Sequence, residues 1–204
     1  RLYGFFAVSF LYHMALEATH LRFAFDLKDR LRVSNFERFY VGAIYPDSRY
    51  VTKIKRRLTH PENYLDWNVN EMDDFKKGWH THLLCDKLHG EILKEWLPAL
   101  FVGDPKGDVW IRHTALKILR DLDDVTRFDI ATLLPFLKHT ENPNGEEIES
   151  IKRYNALIGD VYSDHSMVSI DSCFQLWKEL GIGDDLALRV KQQTEEYQQQ
   201  KEIV

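Results

Sequence analysis

The chain has 204 residues, of which 44% are hydrophobic and 13% aromatic, and its formal net charge is −5. This length suits a single domain with a substantial core. The slightly acidic balance argues against a nucleic-acid partner, because such surfaces are usually basic. The two cysteines, Cys85 and Cys173, form no CxxC pair. A disulfide framework is therefore not predicted, and a reducing, cytoplasmic location is expected.

The N-terminus opens with an apolar stretch over residues 1–12. The stretch is too short to span a bilayer, and no small-x-small cleavage site follows it. His13-Met14 is the dipeptide that a common cloning site leaves before a native start. Residues 1–13 are therefore interpreted as a cloning-derived leader, and 14–204 as the domain; a native hydrophobic anchor is the alternative. No later apolar run approaches the length of a membrane span.

Apolar residues recur at helical spacing through most of the remaining chain, without an alternating strand pattern. Helices are predicted over about 16–31, 36–41, 48–58, 72–97, 108–121, 126–138, 146–158, 169–180 and 184–203. Pro46 favours a turn over 42–47, and Pro, Gly and Asn mark irregular segments at 61–70, 103–107 and 141–145. The predicted fold class is all-α, a single-domain multi-helix bundle.

His82 and Asp86 stand four residues apart in the helix predicted over 72–97. Side chains at this spacing project from one helix face about 6 Å apart, so an imidazole and a carboxylate there can bind one metal ion. In isolation, such a pair is more often a hydrogen-bonded pair on a helix surface. Its interpretation therefore depends on the rest of the chain.

Three other short segments supply donors of the same kind: Thr19-His20, the Asp47 that ends Gly-Ala-Ile-Tyr-Pro-Asp, and Thr59-His60. Divalent transition metals take imidazole and carboxylate ligands from several elements, since one helix cannot surround an ion. The predicted metal ligands are His20, Asp47, His60, His82 and Asp86. Because carboxylates are suited to bridging, either Asp47 or Asp86 is expected to link a metal pair.

The four segments, in this order over about residues 19–86, resemble the zinc-dependent phospholipase C family and its bacterial relatives. That family is all-helical, with a His near the N-terminus, a Pro-Asp turn, a Thr-His and a Gly-aromatic-x-x-His-x-x-x-Asp helix. The resemblance implies the same fold, the same five ligands and hydrolysis of phosphoesters by a metal-activated water. The expected substrate is a phospholipid-type or small cytosolic phosphoester.

The chain departs from the secreted members of that family downstream of the four segments. Those enzymes carry a His-x-x-x-Glu on a later helix, whereas here His113 is followed four residues on by Lys117, and His139 by Pro143. One or two ions are therefore expected rather than three. Zinc is the favoured ion, with manganese or iron as alternatives.

Catalytic roles are predicted for the two carboxylates. Asp47, or an unligated oxygen of Asp86, would orient the attacking water or accept its proton. The basic run between Asp47 and His60 offers candidates for neutralising a phosphate, namely Arg49, Lys53 and Arg56. The alternative interpretation of this run is a solvated helix face.

Several simpler interpretations compete with the metal site. The alternative interpretation of His60 is that it only ends its helix, through a favourable interaction with the carbonyl end. His89 returns to the His82 face as a reserve ligand, while His80 points to another face. At the level of function, the alternatives are a non-catalytic helical protein with a structural metal and an HD-type phosphohydrolase. The latter requires a His-Asp dipeptide, which the chain lacks.

Overall fold

A computed structural model describes residues 16–104 and 107–200. These residues form one helical bundle and include no β-strand, which confirms the predicted all-α, single-domain class. The helices are α1 (Glu17–Leu27), α2 (Phe36–Ile44), α3 (Arg49–Thr52), α4 (Arg56–Thr59), α5 (Asp74–Trp96), α6 (Asp108–Arg127), α7 (Ile148–Tyr162), α8 (Ile170–Glu179) and α9 (Asp184–Gln199). Short 3-10 turns lie at Tyr45–Ser48, Tyr64–Asp66, Val69–Glu71, Pro98–Phe101, Ile130–Thr132, Leu134–Lys138 and His165–Met167.

Helices α2 and α5 cross at close range through two glycines. A Cβ on Gly78 would lie 1.9 Å from the carbonyl oxygen of Phe39, and one on Gly42 would lie 2.1 Å from that of Phe75. Both distances are far inside van der Waals contact with backbone, so neither position accepts a side chain without a shift of the helices. The glycines therefore fix the distance between the two helices that carry the site.

The start of α5 is also tied to the start of α2. The buried Asp74 accepts hydrogen bonds from the backbone N–H groups of Ser34 and Asn35, at 3.0 and 2.7 Å. Asn35 in turn caps α2 by accepting from the Arg38 N–H at 3.0 Å. This connection satisfies donors that a helix terminus leaves without intrahelical partners. It also restrains the register of α2 against α5.

Helix α1 packs against α2, α5 and α6. The Thr19 N–H, in the first turn of α1, donates to the Asp121 carboxylate of α6 at 2.8 Å. Leu16 is the N-cap residue of α1, and its side chain makes no capping hydrogen bond. Asp121 caps the helix instead, from a distant part of the chain. The contact places the first turns of α1, including His20, beside the middle of α6.

Two sequence-predicted boundaries around the site were wrong. Gly42 does not begin a turn, because α2 continues to Ile44 and the turn itself is the 3-10 segment Tyr45–Ser48. Gly42 is needed for the helix crossing instead. The single basic helix predicted over 48–58 is two short helices, because Lys53 adopts a left-handed conformation with φ of 58°.

Other boundaries shift further along the chain. Helix α6 extends to Arg127, and the helix predicted over 126–138 is replaced by two 3-10 turns. Helix α7 begins at Ile148 and continues through Gly159 to Tyr162. The leader predicted at 1–13, the start at Met14 and the last residues of the predicted C-terminal helix lie outside the described residues. None of the helices described is both long and apolar enough to cross a membrane.

Candidate metal centre

The sequence-predicted ligands converge in the interior of the bundle. Their donor atoms form two groups, each with all atoms within 4.8 Å of one another: His20, His82 and Asp86 in one, and Asp47, His60 and His82 in the other. Each of the five residues is at most 6% exposed. We call these five residues the His/Asp cluster.

Asp86 lies at the centre of the His/Asp cluster. Its Oδ1 is 3.5 Å from His20 Nε2, while its Oδ2 is 3.6 Å from His60 Nε2 and 3.7 Å from His82 Nε2. The two oxygens of one carboxylate therefore face different imidazoles. This is the arrangement that a carboxylate bridging two ions requires, with Oδ1 directed to one ion and Oδ2 to the other.

The helix crossing fixes the orientation of the His82 ring. Its Nδ1 lies 2.8 Å from the backbone carbonyl of Ala43 on α2. Because a carbonyl only accepts, Nδ1 carries the proton and Nε2 keeps its lone pair for an ion. The residue is fully buried, and burial lowers its pKa to about 4, so the imidazole is neutral at physiological pH.

His60 follows the last residue of α4 and turns its ring towards Asp47 and Asp86 rather than serving only to end the helix. Its Nδ1 lies 2.9 Å from the hydroxyl of Thr59. The Thr59 carbonyl accepts from the indole N–H of Trp79 at 2.6 Å, which ties this segment to α5. Burial, followed by the charge of Arg56, holds the pKa of His60 well below its usual value.

His20 and Asp47 complete the cluster from α1 and from the 3-10 turn after α2. The His20 ring stacks on the His82 ring, with centroids 3.6 Å apart and an interplanar angle of 13°. Asp47 Oδ1 lies 4.0 Å from His60 Nε2 and 3.7 Å from Arg49 Nε. The turn that carries Asp47 is held by the Tyr45 hydroxyl, which hydrogen-bonds to Glu146.

Several donor atoms of the cluster are not hydrogen-bonded to one another, and they are of the kind that binds a divalent ion. His60 Nε2, His82 Nε2 and Asp47 Oδ1 are buried and have no hydrogen-bond partner among the described residues. Burying a polar atom without a partner costs about 1–3 kcal/mol. Three imidazoles and two carboxylates are ligands that zinc, manganese and iron accept. The cluster therefore matches the chemistry of a metal site.

The three residues predicted to bind a phosphate differ in their burial and in their contacts. Arg49 lies against Asp47, and its guanidinium donates to the Tyr50 hydroxyl at 2.6 Å. Arg56 is half-buried, and burial followed by the charge of Arg49 lowers its pKa. Lys53, by contrast, is exposed, and its ammonium donates to the backbone carbonyl of Tyr50 at 2.5 Å.

Sequence reasoning missed three buried ionisable residues near the cluster. Lys117 and Asp121 lie one turn apart on α6, and Glu17 lies one turn before His20 on α1. All three are at most 5% exposed. The only signal in the sequence is that charges occur within a largely apolar helix, and a solvated face gives the same pattern.

His80, His89 and His113 lie outside the His/Asp cluster. The His80 ring is 6.0 Å from that of Tyr64 and 6.2 Å from that of Trp67, measured between centroids. His89 belongs to neither group of metal-binding atoms. His113 is buried against the ring of Phe101, with centroids 4.1 Å apart, which agrees with a structural role.

Searches of protein-family models, curated proteins and solved structures gave no match to this chain.

Proposed function

We propose that the protein is a metal-dependent phosphoester hydrolase that uses a metal-activated water. The observation that carries the proposal is the position of Asp86, whose two oxygens face different imidazoles in a buried cluster. The resemblance of the four ligand segments to the zinc-dependent phospholipase C family supports it. We favour zinc, with manganese or iron as alternatives, and one or two ions.

The distribution of donors favours catalysis. One group of donors consists of Asp47, His60 and His82, and the other consists of His20, Asp86 and the shared His82. Three protein ligands leave a fourth coordination position open, as in catalytic zinc sites, whereas four protein ligands close the shell. Open positions are what a catalytic site needs to hold water or substrate.

Each protein group then has a role that its surroundings support. A bound divalent ion would supply Lewis acidity and make hydroxide available at about pH 7. The carboxylate of Asp47, or the Asp86 oxygen that is not engaged as a ligand, orients the attacking water or accepts its proton. Arg49 and Arg56 lie where they can neutralise charge on a phosphate, and a guanidinium matches phosphate oxygens in bidentate geometry.

A second candidate is a non-catalytic helical protein with one structural ion. It is favoured by the position of Asp86 Oδ2, which lies 3.6 Å from His60 Nε2 and 3.7 Å from His82 Nε2, because structural zinc sites have four protein ligands and Asp86 would add one to the group of Asp47, His60 and His82. The open groove between the Leu134–Lys138 turn and α7 is also lined by residues outside the His/Asp cluster. In this case His20 would pack on His82 without binding an ion.

The deciding experiment combines metal analysis with an activity screen. Protein purified without chelator is analysed for bound metal and then assayed against phosphomonoesters and phosphodiesters. We expect Asp47→Ala to lower activity by more than about 100-fold, since even the loss of a residue that supports a ligand costs about 10–100-fold. Asp26→Ala, which removes an exposed aspartate paired with Arg22, serves as the control.

The possible results separate the two candidates. Activity that Asp47→Ala abolishes and Asp26→Ala retains supports the hydrolase. Stoichiometric metal without hydrolysis of either ester class favours the structural ion. Wild-type protein that binds neither zinc nor manganese on titration contradicts both.

The substrate and the location are parts of the same proposal. A phospholipid-type or small phosphoester is the substrate class that the resemblance implies. A cytoplasmic location agrees with Cys85 and Cys173, both of which are buried and free of a disulfide.

A further inference from the structure

Lys117 is a buried cation that the fold places beside the His/Asp cluster. It is 5% exposed and lies one turn before Asp121 on α6. The bond from the Thr19 N–H to Asp121 brings this face of α6 against the α1 turn that carries His20. The charges that act on Lys117 most strongly are the carboxylates of Asp86 and Asp47, both members of the cluster.

The Lys117 ammonium has no hydrogen bond or ion pair within 4.0 Å among the described residues. A buried ammonium without a close partner is costly, because the desolvation of the charge is not repaid by a contact. The attraction of Asp86 and Asp47 acts only from a longer distance. Such an ammonium is positioned for an anion that the protein itself does not supply.

Arg49 and Arg56 add two more cations near the cluster. Both act on Lys117 electrostatically, and Arg49 is in contact with Asp47. Three cations are therefore grouped around two ligand carboxylates. When Asp47 and Asp86 bind a divalent ion, they no longer balance these cations, and a net positive charge remains beside the ion.

We infer that Lys117, together with Arg49 and Arg56, binds the terminal phosphate of a phosphomonoester next to the metal ion. This inference rests on the proposed function and narrows its substrate class. A terminal phosphate carries close to two negative charges at pH 7, whereas a phosphodiester carries one. The dianion therefore compensates more of the buried positive charge.

The test measures binding of inorganic orthophosphate by calorimetry to zinc-loaded protein freed of excess zinc. Lys117→Met, which keeps a long side chain but removes the charge, is compared with the wild type. The matched control is Lys152→Met, since Lys152 is exposed and its ammonium pairs with Glu149 on α7. We expect Lys117→Met to weaken phosphate binding about 10-fold or more, which corresponds to one lost charge-assisted hydrogen bond, and Lys152→Met to have no effect.

Further measurements make every outcome decisive. Dimethyl phosphate, a diester monoanion, is expected to bind at least 10-fold more weakly than orthophosphate, and equal affinity would overturn the dianion assignment. If Lys117→Met does not fold, Arg56→Met tests the same group of cations at a half-buried residue. An unchanged phosphate affinity in Arg56→Met would then overturn the inference. Zinc titration of the wild type separates the two proposals. Wild-type protein that binds zinc but not orthophosphate overturns this inference and leaves the metal site, whereas wild-type protein that binds neither contradicts the proposed function.

Discussion

Two buried polar clusters lie side by side in this bundle, and they differ in how their polar atoms are satisfied. One is the His/Asp cluster. The other, which we call the carboxyl cluster, consists of Glu17, Asp121, Tyr154 and Tyr162. Both are removed from solvent, and both join residues that are distant in sequence.

The carboxyl cluster satisfies its acids with donors of its own. Asp121 accepts from the Thr19 N–H at 2.8 Å and from the Tyr162 hydroxyl at 2.5 Å. Glu17 accepts from the Tyr154 hydroxyl at 3.1 Å. Burial raises the pKa of Glu17 to about 8 and that of Asp121 to about 7, so both are close to the protonated state that needs no counter-charge.

In the His/Asp cluster, three polar atoms are not satisfied in this way. Two imidazole nitrogens and a carboxylate oxygen, on His60, His82 and Asp47, lack hydrogen-bond partners among the described residues. Burial alone therefore does not distinguish a ligand site from a structural network. What distinguishes them is whether the polar atoms are paired with one another or left for a group that the chain does not contain.

The largest expected effect separates the two clusters by metal binding. Zinc at about 1,000 times its dissociation constant should stabilise wild-type protein by about 4 kcal/mol. Asp86→Ala removes the carboxylate shared by three imidazoles, and we expect it to abolish this stabilisation. Asp121→Asn keeps an acceptor for the Thr19 N–H, and it should retain the stabilisation. Chemical unfolding with and without zinc measures both.

If these two variants respond alike, the two clusters do not differ in metal binding. An Asp86→Ala protein that zinc still stabilises fully would mean that the ion binds elsewhere. An Asp121→Asn protein that loses the effect would make the carboxyl cluster part of the metal site.

The next prediction concerns what holds the imidazoles in position. The alternatives are the packing of α2 against α5 and a bound ion. Gly78→Ala would place a Cβ 1.9 Å from a backbone oxygen at the α2–α5 crossing. We expect metal-free protein to lose about 3 kcal/mol of unfolding free energy, at the upper end for overpacking. Gly159→Ala is the matched control, because nothing lies within 4 Å of its Cβ in helix α7 and the change should stabilise by about 0.5–1 kcal/mol.

Urea unfolding at constant slope gives both values. If Gly78→Ala is as stable as the wild type, the crossing is not tight. The Ala43 carbonyl would then not be held in place for His82 by packing.

The ligand set and the fold class were accessible from sequence because they depend on local patterns. Helical periodicity predicted α5, and the i, i+4 spacing placed His82 and Asp86 on one face of it. The Pro-Asp and Thr-His segments could be recognised as short motifs. The structure brings all five predicted ligands together.

The features that the sequence did not predict depend on tertiary contacts between distant parts of the chain. Gly42 suggests a turn in isolation, but its lack of a side chain serves contact with a helix more than thirty residues away. Helix α6 is covered on several sides, so Lys117 and Asp121 are buried where the sequence indicates a solvated face. The Asp121 contact to Thr19 joins residues 102 positions apart, and no local pattern contains it.

The smallest effect concerns pH, and it assigns opposite signs to the two clusters. His82 has a pKa lowered from 6.5 to about 4, so its contribution to the stability of metal-free protein is lost as pH falls from 6.5 to 4 and is constant above 6.5. Glu17 has a pKa raised from 4.5 to about 8, so its contribution is lost as pH rises from 4.5 to 8. Lys117, lowered from 10.5 to about 8, contributes a change only above pH 8.

Between pH 6.5 and 8 the carboxyl cluster therefore acts alone among these groups. Glu17 should lower the unfolding free energy of metal-free protein by about 2 kcal/mol across this window, since one pKa unit corresponds to about 1.4 kcal/mol. Asp121, whose pKa is raised to about 7, should add about 0.7 kcal/mol between pH 6.5 and 7. Glu17→Gln keeps an acceptor for Tyr154 but cannot titrate, so we expect it to remove most of the slope. The exposed Glu37→Gln should leave the slope unchanged. A Glu17→Gln protein with the wild-type slope would show that Glu17 is ionised in the fold, and the contrast between the two clusters would then not rest on protonation.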